Sequence, residues 1–411
     1  MKPAWHASAL GLALVAAGAC GGSSASPTAA SSPTPSPSPS ATADPIFDPS
    51  RLHDVQLSID PADWLALQGD YRANTYYAAR IAVDERRLDQ VGVRSRGEGS
   101  RSGTKPGLRV DFDRYVPGQE LGVYKSLVVD NQLQDPSFLR ERLSFMVFEA
   151  MGIAAPRTSF ARLYVNGEYW GLYSLTEPVS KPFLKSRLGE ESGNLFDYEW
   201  AFAWDFSYLG DDPAAYVPVP FQPQTNEDHL DPTGLVAFVL AVNETPDATF
   251  VQEMGSWLDL DRVLTYLAVE NAIAETDGFL GRHGVNNFYL YEHGQGHRVT
   301  FIPWDKDSAL AAASVPVYQG VERNVLARRL LAEVAQRQAY LTALRRAVTS
   351  FVNARWLGPR LDEAYTQIRG AALLDTRKPW TNAQFEDAVA GTRGVVAARE
   401  ADVLAQIGGS Q

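Results

Sequence analysis

Residues 275–310, ETDGFLGRHGVNNFYLYEHGQGHRVTFIPWDKDSAL, decide how this chain is read. Asp277 and Asn287 precede the apolar run FYLY, and Asp305 and Asp307 follow the run VTFIPW. Both runs read as short buried strands, and HGQGH at 293–297 between them reads as a hairpin turn. Folding that hairpin returns Asp305 towards the end that carries Asp277 and Asn287. Carboxylates and an amide gathered there offer hard oxygen ligands for a divalent cation and a means of orienting a hydroxyl nucleophile. His293 and His297 sit at the turn, so they read as solvent-exposed turn residues and not as a metal site.

The rest of the composition narrows the class. A chain of 411 residues with 45% hydrophobic and 11% aromatic residues can build a substantial core, in one large domain or two ordinary ones. A net charge of -12 argues against a nucleic-acid partner, which calls for a basic footprint. There is no HExxH, CxxC or GxSxG pattern, which removes the usual zinc and nucleophile-elbow chemistries.

The N-terminus carries a separate signal. Lys2 precedes the apolar run ALGLALVAA at 9–17, too short to span a membrane and suited to the core of a signal peptide. Small residues lead into Cys20, the single cysteine, in the manner of a bacterial lipoprotein signal. Cleavage before Cys20 and lipidation of its thiol would tether the chain to the outer face of the cell membrane, with an ordinary secretory signal as the alternative. Residues 21–45 are Ser-, Pro-, Ala- and Thr-rich and read as an extended spacer.

From residue 46 onward the pattern is mostly strands up to residue 177, interrupted by a helix that Asp135-Pro136-Ser137 opens and Gly152 ends. Asn166-Gly167 between two apolar runs is the strongest hairpin signal in the chain. Residues 200–233 read as a long irregular loop or insertion, and helical spacing dominates the remainder. The expectation is an α+β, two-lobed protein with a β-rich N-lobe (46–177), a mainly helical C-lobe (178–345) and a helical extension (346–411) packed on the C-lobe.

Upstream candidates are weaker one by one. The loop RSRGEGSRSGTK at 94–105 follows a strand, and Gly97 and Gly99 would let backbone N–H groups approach phosphate oxygens near Lys105. The Walker pattern fails because Thr104 separates Gly103 from Lys105, and on its own a plain β-turn is the better account. Glu141 lies on the helix after Asp135, where a solvated face is the ordinary role. Glu177, before Pro178, marks a crossover between the lobes or a simple strand end. In the 275–310 cluster, Asp277 suits a general base, Asn287 and Asp305 suit metal binding, and Asp307 is a further ligand or supports the others.

These pieces occur in an order that resembles the spore coat protein H (CotH) kinase family, atypical members of the protein-kinase-like fold. The resemblance rests on VGVRSRGEGS, KPGLRVDFDRYVPGQ, DNQLQDPSFLRERLSFMVFEAMGIAAPRTSFARLYVNGEYWGLYSLTEPV and NNFYLYEHGQGHRVTFIPWDKD. It implies that Lys105 contacts ATP phosphates, that Glu141 pairs with Lys105, and that Glu177 lies at a hinge-like crossover. It implies further that Asp277 is the catalytic aspartate and that Asn287 and Asp305 hold magnesium or manganese. Asn286 stands where the family often has histidine, and the TDGFLGRHG segment is longer than in some relatives. The function implied is an exported, monomeric kinase that transfers the ATP γ-phosphoryl group to Ser/Thr hydroxyls of envelope proteins. A non-catalytic envelope scaffold and a metal-dependent hydrolase of envelope polymers are the alternatives.

Overall fold

A computed structural model describes residues 44–408. The segment expected to be a signal peptide, Cys20 and nearly all of the expected spacer lie outside the described residues. Among the described residues no helix is long and apolar enough to cross a membrane.

The N-lobe is a closed barrel. Its strands are β1 (Leu52–Ile59), β2 (Tyr77–Val83), β3 (Arg86–Arg96), β4 (Gly107–Asp111), β5 (Ser126–Asp130), β6 (Thr158–Val165) and β7 (Glu168–Thr176), closing in the order β1-β2-β3-β4-β5-β7-β6. The β6–β7 hairpin turns over Asn166 and Gly167, both at positive φ (51° and 84°), as the Asn-Gly pair demands. Alternation along β5 divides its side chains between two cores: Leu127 and Val129 fill the barrel, while Val128 packs with Leu195, Tyr289 and Trp304 of the other lobe. Closure removes exposed sheet edges.

Two helices attach to the barrel. In α1 (Pro61–Gly69) the Asp60 side chain caps Ala62 N, with Pro61 in the first turn. The helix expected to open at Asp135 begins later, as α2 (Arg140–Ala150). Asp135 still supplies its start, because its Oδ2 accepts from Leu139 N at 2.7 Å and Arg140 N at 2.8 Å.

The C-lobe combines a four-stranded sheet with helices. Its elements are α3 (Lys181–Leu188), β8 (Asn194–Tyr198), β9 (Phe221–Pro223), α4 (Thr233–Glu244), α5 (Asp247–Trp257), α6 (Leu260–Ala272), β10 (Phe288–Glu292), β11 (Val299–Pro303), α7 (Val325–Ala332), α8 (Val334–Ser350), α9 (Leu357–Leu374) and α10 (Asn382–Gly408). The sheet order is β11-β10-β8-β9. Residues 200–233, expected as a loop, contribute β9 and a large share of the core: Trp204, Phe206, Tyr216 and Phe221 are at most 2% exposed. Their lack of periodicity hid a cluster of stacked and edge-on rings around Phe288 and Phe301. A barrel lobe followed by a helical lobe is the two-lobed α+β arrangement expected.

The chain beyond residue 345 packs on the C-lobe and also reaches the N-lobe. Tyr169 of β7 donates its hydroxyl to Ala371 O of α9 at 2.8 Å. Arg399 of α10 caps the end of α6, its fully buried guanidinium donating to Ala272 O at 3.1 Å. That cap fixes the point at which the chain leaves α6 for Asp277.

Candidate active site

The hairpin of β10 and β11 pairs Phe288 with Pro303, so Asn287 and Trp304 face each other, with Trp304 N donating to Asn287 O at 3.2 Å. Asp305 follows directly. Asn287 (φ 55°) and Asp305 (φ 46°) both adopt the left-handed conformation, which Asn and Asp tolerate better than other non-glycine residues. The expected convergence of Asp277 with Asn287 is present. Asn286 Nδ2 and Asn287 Nδ2 each lie 3.2 Å from Asp277 Oδ2, and Asn287 Nδ2 also donates to Asp277 O at 2.9 Å. Asn286 thus serves as a second amide donor to Asp277.

A buried frame positions these groups. Lys306 Nζ donates to Glu270 Oε1 and to Asn287 O, each at 2.8 Å. Glu270 also accepts from Phe279 N and Leu280 N. Glu275 Oε1 accepts from Asp277 N at 2.7 Å. The sequence concealed this frame because Lys306 sits inside an acidic DKD run and Glu270 inside a helix.

Electrostatics reflects the crowding of acids. Burial, opposed by the Asn286 hydrogen bond, raises the Asp277 carboxyl above its ordinary range. Burial and the nearby Asp130 push Asp305 up to about 6, against the pull of Arg96. Asp307 is 7% exposed and is held well above the usual range by burial and by Asp305. Burial and Asp130 likewise raise Glu141.

The upstream residues sort differently from expectation. Lys105 does not pair with Glu141: its Nζ, with no exposure at all, lies 2.8 Å from Asp375 Oδ2 and donates to Leu172 O at 2.8 Å. Asp375 enters because Gly171 has no side chain; a Cβ there would lie 2.6 Å from Asp375 Oδ2. Glu141 Oε2 accepts weakly from Gln132 Nε2 and Thr176 Oγ1, both at 3.4 Å. The cation of this region is Arg96, whose Nη1 donates to Asp130 Oδ2 at 2.7 Å. Neither Arg96 nor Asp130 was singled out, although the RSRG turn and the strand end VVD mark them.

Glu177 is fully buried and held by Arg157 Nη2 at 2.7 Å and by the Tyr124 hydroxyl at 2.7 Å. Its side chain closes the crossover internally. Gly97 (φ 106°) ends β3 in a turn that only glycine makes without strain, and Gly99 is exposed nearby. The loop that holds them is tied down: Arg101 Nε donates to Gly97 O and its Nη1 to Arg72 O, while Asn131 Nδ2 donates to Ser100 O. Of the turn histidines, His297 is exposed, whereas His293 is mostly buried between Glu190 and Thr300.

Among the described residues no three His, Cys, Asp or Glu side chains gather into a ready metal cage. Magnesium does not require one, since it takes one or two carboxylates and completes its shell with phosphate oxygens and water. The Asp305 carboxylate, with the Asn287 oxygen left over by the amide's bonds to Asp277, fits that pattern.

Comparison with known proteins bears on the family. The chain is 27% identical over 338 residues to inner spore coat protein H of Bacillus subtilis, covering 79% of this chain and 88% of that protein. Spore coat protein homolog 1 of Rhizopus delemar is 21% identical over 341 residues, covering 77% of this chain and 54% of that protein. Among solved structures, the proinflammatory kinase CtkA of Helicobacter pylori is 9% identical with a TM-score of 0.29, covering 72% of this chain and 94% of that one, too loose a likeness to build on. The family pattern described as CotH kinase protein matches residues 93–403, and the chain belongs to that family.

Proposed function

We propose that this protein is a phosphotransferase that moves the ATP γ-phosphoryl group to Ser or Thr hydroxyls of exported proteins, tethered to the outer face of the cell membrane through Cys20. The observation that carries this reading is the Asp277–Asn286–Asn287 constellation beside Asp305. Asp277 is partly exposed and its carboxylate is aimed by two amides, as a group that orients a hydroxyl and takes its proton must be. Its raised proton affinity favours that transfer. Asp305 and Asn287 would hold a magnesium or manganese ion, which would bind the phosphates and offset their charge. Asp307 is too buried to meet a substrate and acts on Asp305 through its charge.

The test is transfer from labelled ATP, with magnesium or manganese, to a serine-rich acceptor. Asp277→Ala is expected to lower transfer by about 10²–10⁴-fold, the range for losing a positioned acid–base group. Asp305→Ala is expected to abolish the metal dependence. Wild-type protein as inert as both variants sinks the reading.

A further inference from the structure

We propose that Arg96, not Lys105, is the side chain that receives the nucleotide phosphates; this rests on the phosphotransferase reading above. Lys105 is sealed. Its ammonium lies against Asp375 and Leu172 O, with the rings of Phe138 and Tyr173 centred 4.7 and 4.9 Å away. Reaching a phosphate would leave the buried Asp375 carboxylate without its cation and held by backbone N–H groups alone, which is unfavourable.

Arg96 has what Lys105 lacks. It is the last residue of β3, immediately before the Gly97 turn, and its side chain keeps 18% of its surface exposed. Asp130 at the end of β5 fixes one arm of the guanidinium at 2.7 Å. The guanidinium carbon lies 5.7 Å from the Trp304 ring, and Trp304 directly precedes Asp305. Arg96 therefore spans from the barrel to the hairpin end that carries the candidate metal ligand. Among the described residues Nη1 is its one hydrogen-bonded nitrogen, so the other arm of the fork is left to meet phosphate oxygens.

Two neighbouring arginines, Arg94 and Arg101, are committed elsewhere. Arg94 Nη1 donates to Asn74 Oδ1 and Ser95 O, and Arg101 is bound to the carbonyls of Gly97 and Arg72. The Asp130–Arg96 pair also reaches Glu141, because Gln132 Nε2 donates to Asp130 Oδ1 at 3.2 Å and contacts Glu141 Oε2 at 3.4 Å. Glu141 thus supports the phosphate-facing cation through Gln132, without a lysine.

The experiment measures binding of ATP and of adenosine, each with magnesium, to the full chain by calorimetry, for wild type, Arg96→Met and Arg96→Lys. The expected result is ATP binding weakened about tenfold or more in Arg96→Met, as for loss of a charge-assisted hydrogen bond, with adenosine binding unchanged and Arg96→Lys intermediate. Phenylglyoxal labelling of wild type, read by mass spectrometry, needs no variant: ATP is expected to protect Arg96 and adenosine is not. Unchanged ATP affinity in Arg96→Met, equal loss of ATP and adenosine, or no protection each overturns the assignment. Wild type that binds neither ligand overturns the phosphotransferase reading, and the assignment with it.

Discussion

Lys306 Nζ lies 2.8 Å from Glu270 Oε1, with both side chains fully buried, and the same ammonium holds the Asn287 carbonyl. One cation thus joins the last turn of α6 to the start of β10, and the Asp277 loop runs between them. Lys306→Met is expected to cost about 3–5 kcal/mol in urea unfolding, the usual result of leaving one buried charge without its partner. Adding Glu270→Gln is expected to recover part of the loss. A Lys306→Met loss within the few tenths seen at surface lysines removes this frame from the account.

The Lys105–Asp375 pair is a second strut, tying the segment after α9 to β7. Gly171→Ala tests it without touching either charge. Its φ of 139° is strained for alanine, and the new Cβ would press on the Asp375 carboxylate. The substitution is expected to destabilise the fold by about 2 kcal/mol or more, in the range of overpacked sites. Thermal melting of the variant beside wild type decides it: equal midpoints refute the strut.

Glu177 is expected to matter for stability alone. Its carboxylate binds Arg157 and the Tyr124 hydroxyl, whose proton burial and Glu177 hold well above the usual phenol range. Glu177→Ala leaves the partly exposed Arg157 guanidinium without its carboxylate and should cost about 3 kcal/mol, the low end for a broken buried pair. ATP affinity of the folded variant should match wild type; a selective loss of affinity would restore Glu177 to the nucleotide site.

These contrasts show what local pattern can carry. The Asn166-Gly167 hairpin and the convergence of Asp277, Asn287 and Asp305 were legible because each depends on neighbouring residues and on one tight turn. The partner of Lys105 was not, since Asp375 lies far along the chain and only the missing Cβ of Gly171 admits it. Arg96 failed to stand out for a related reason: its role depends on Asp130 at the end of another strand. Residues 200–233 misled because buried aromatic loops have no period to read.

Glu275 gives a pH test with a definite sign. It is 1% exposed, its Oε2 has no hydrogen-bond partner, and burial, opposed by Lys306 and reinforced by the Glu270 charge, pushes its carboxyl from 4.5 to about 7. The folded state therefore binds this proton more tightly than the unfolded chain does. Its stabilisation is fully present below pH 4.5 and is lost as pH rises through about 7. The span amounts to about 3 kcal/mol, at 1.36 kcal/mol per unit. Asp197 and Asp305, also raised by burial, slope the same way, so the informative quantity is the difference between wild type and Glu275→Gln. Glutamine keeps an acceptor for Asp277 N and does not ionise. The stability of Glu275→Gln relative to wild type is expected to rise between pH 5 and 8 in urea titrations. A difference that stays constant across that range would mean that Glu275 is already ionised in the folded protein, and that Lys306 outweighs its burial.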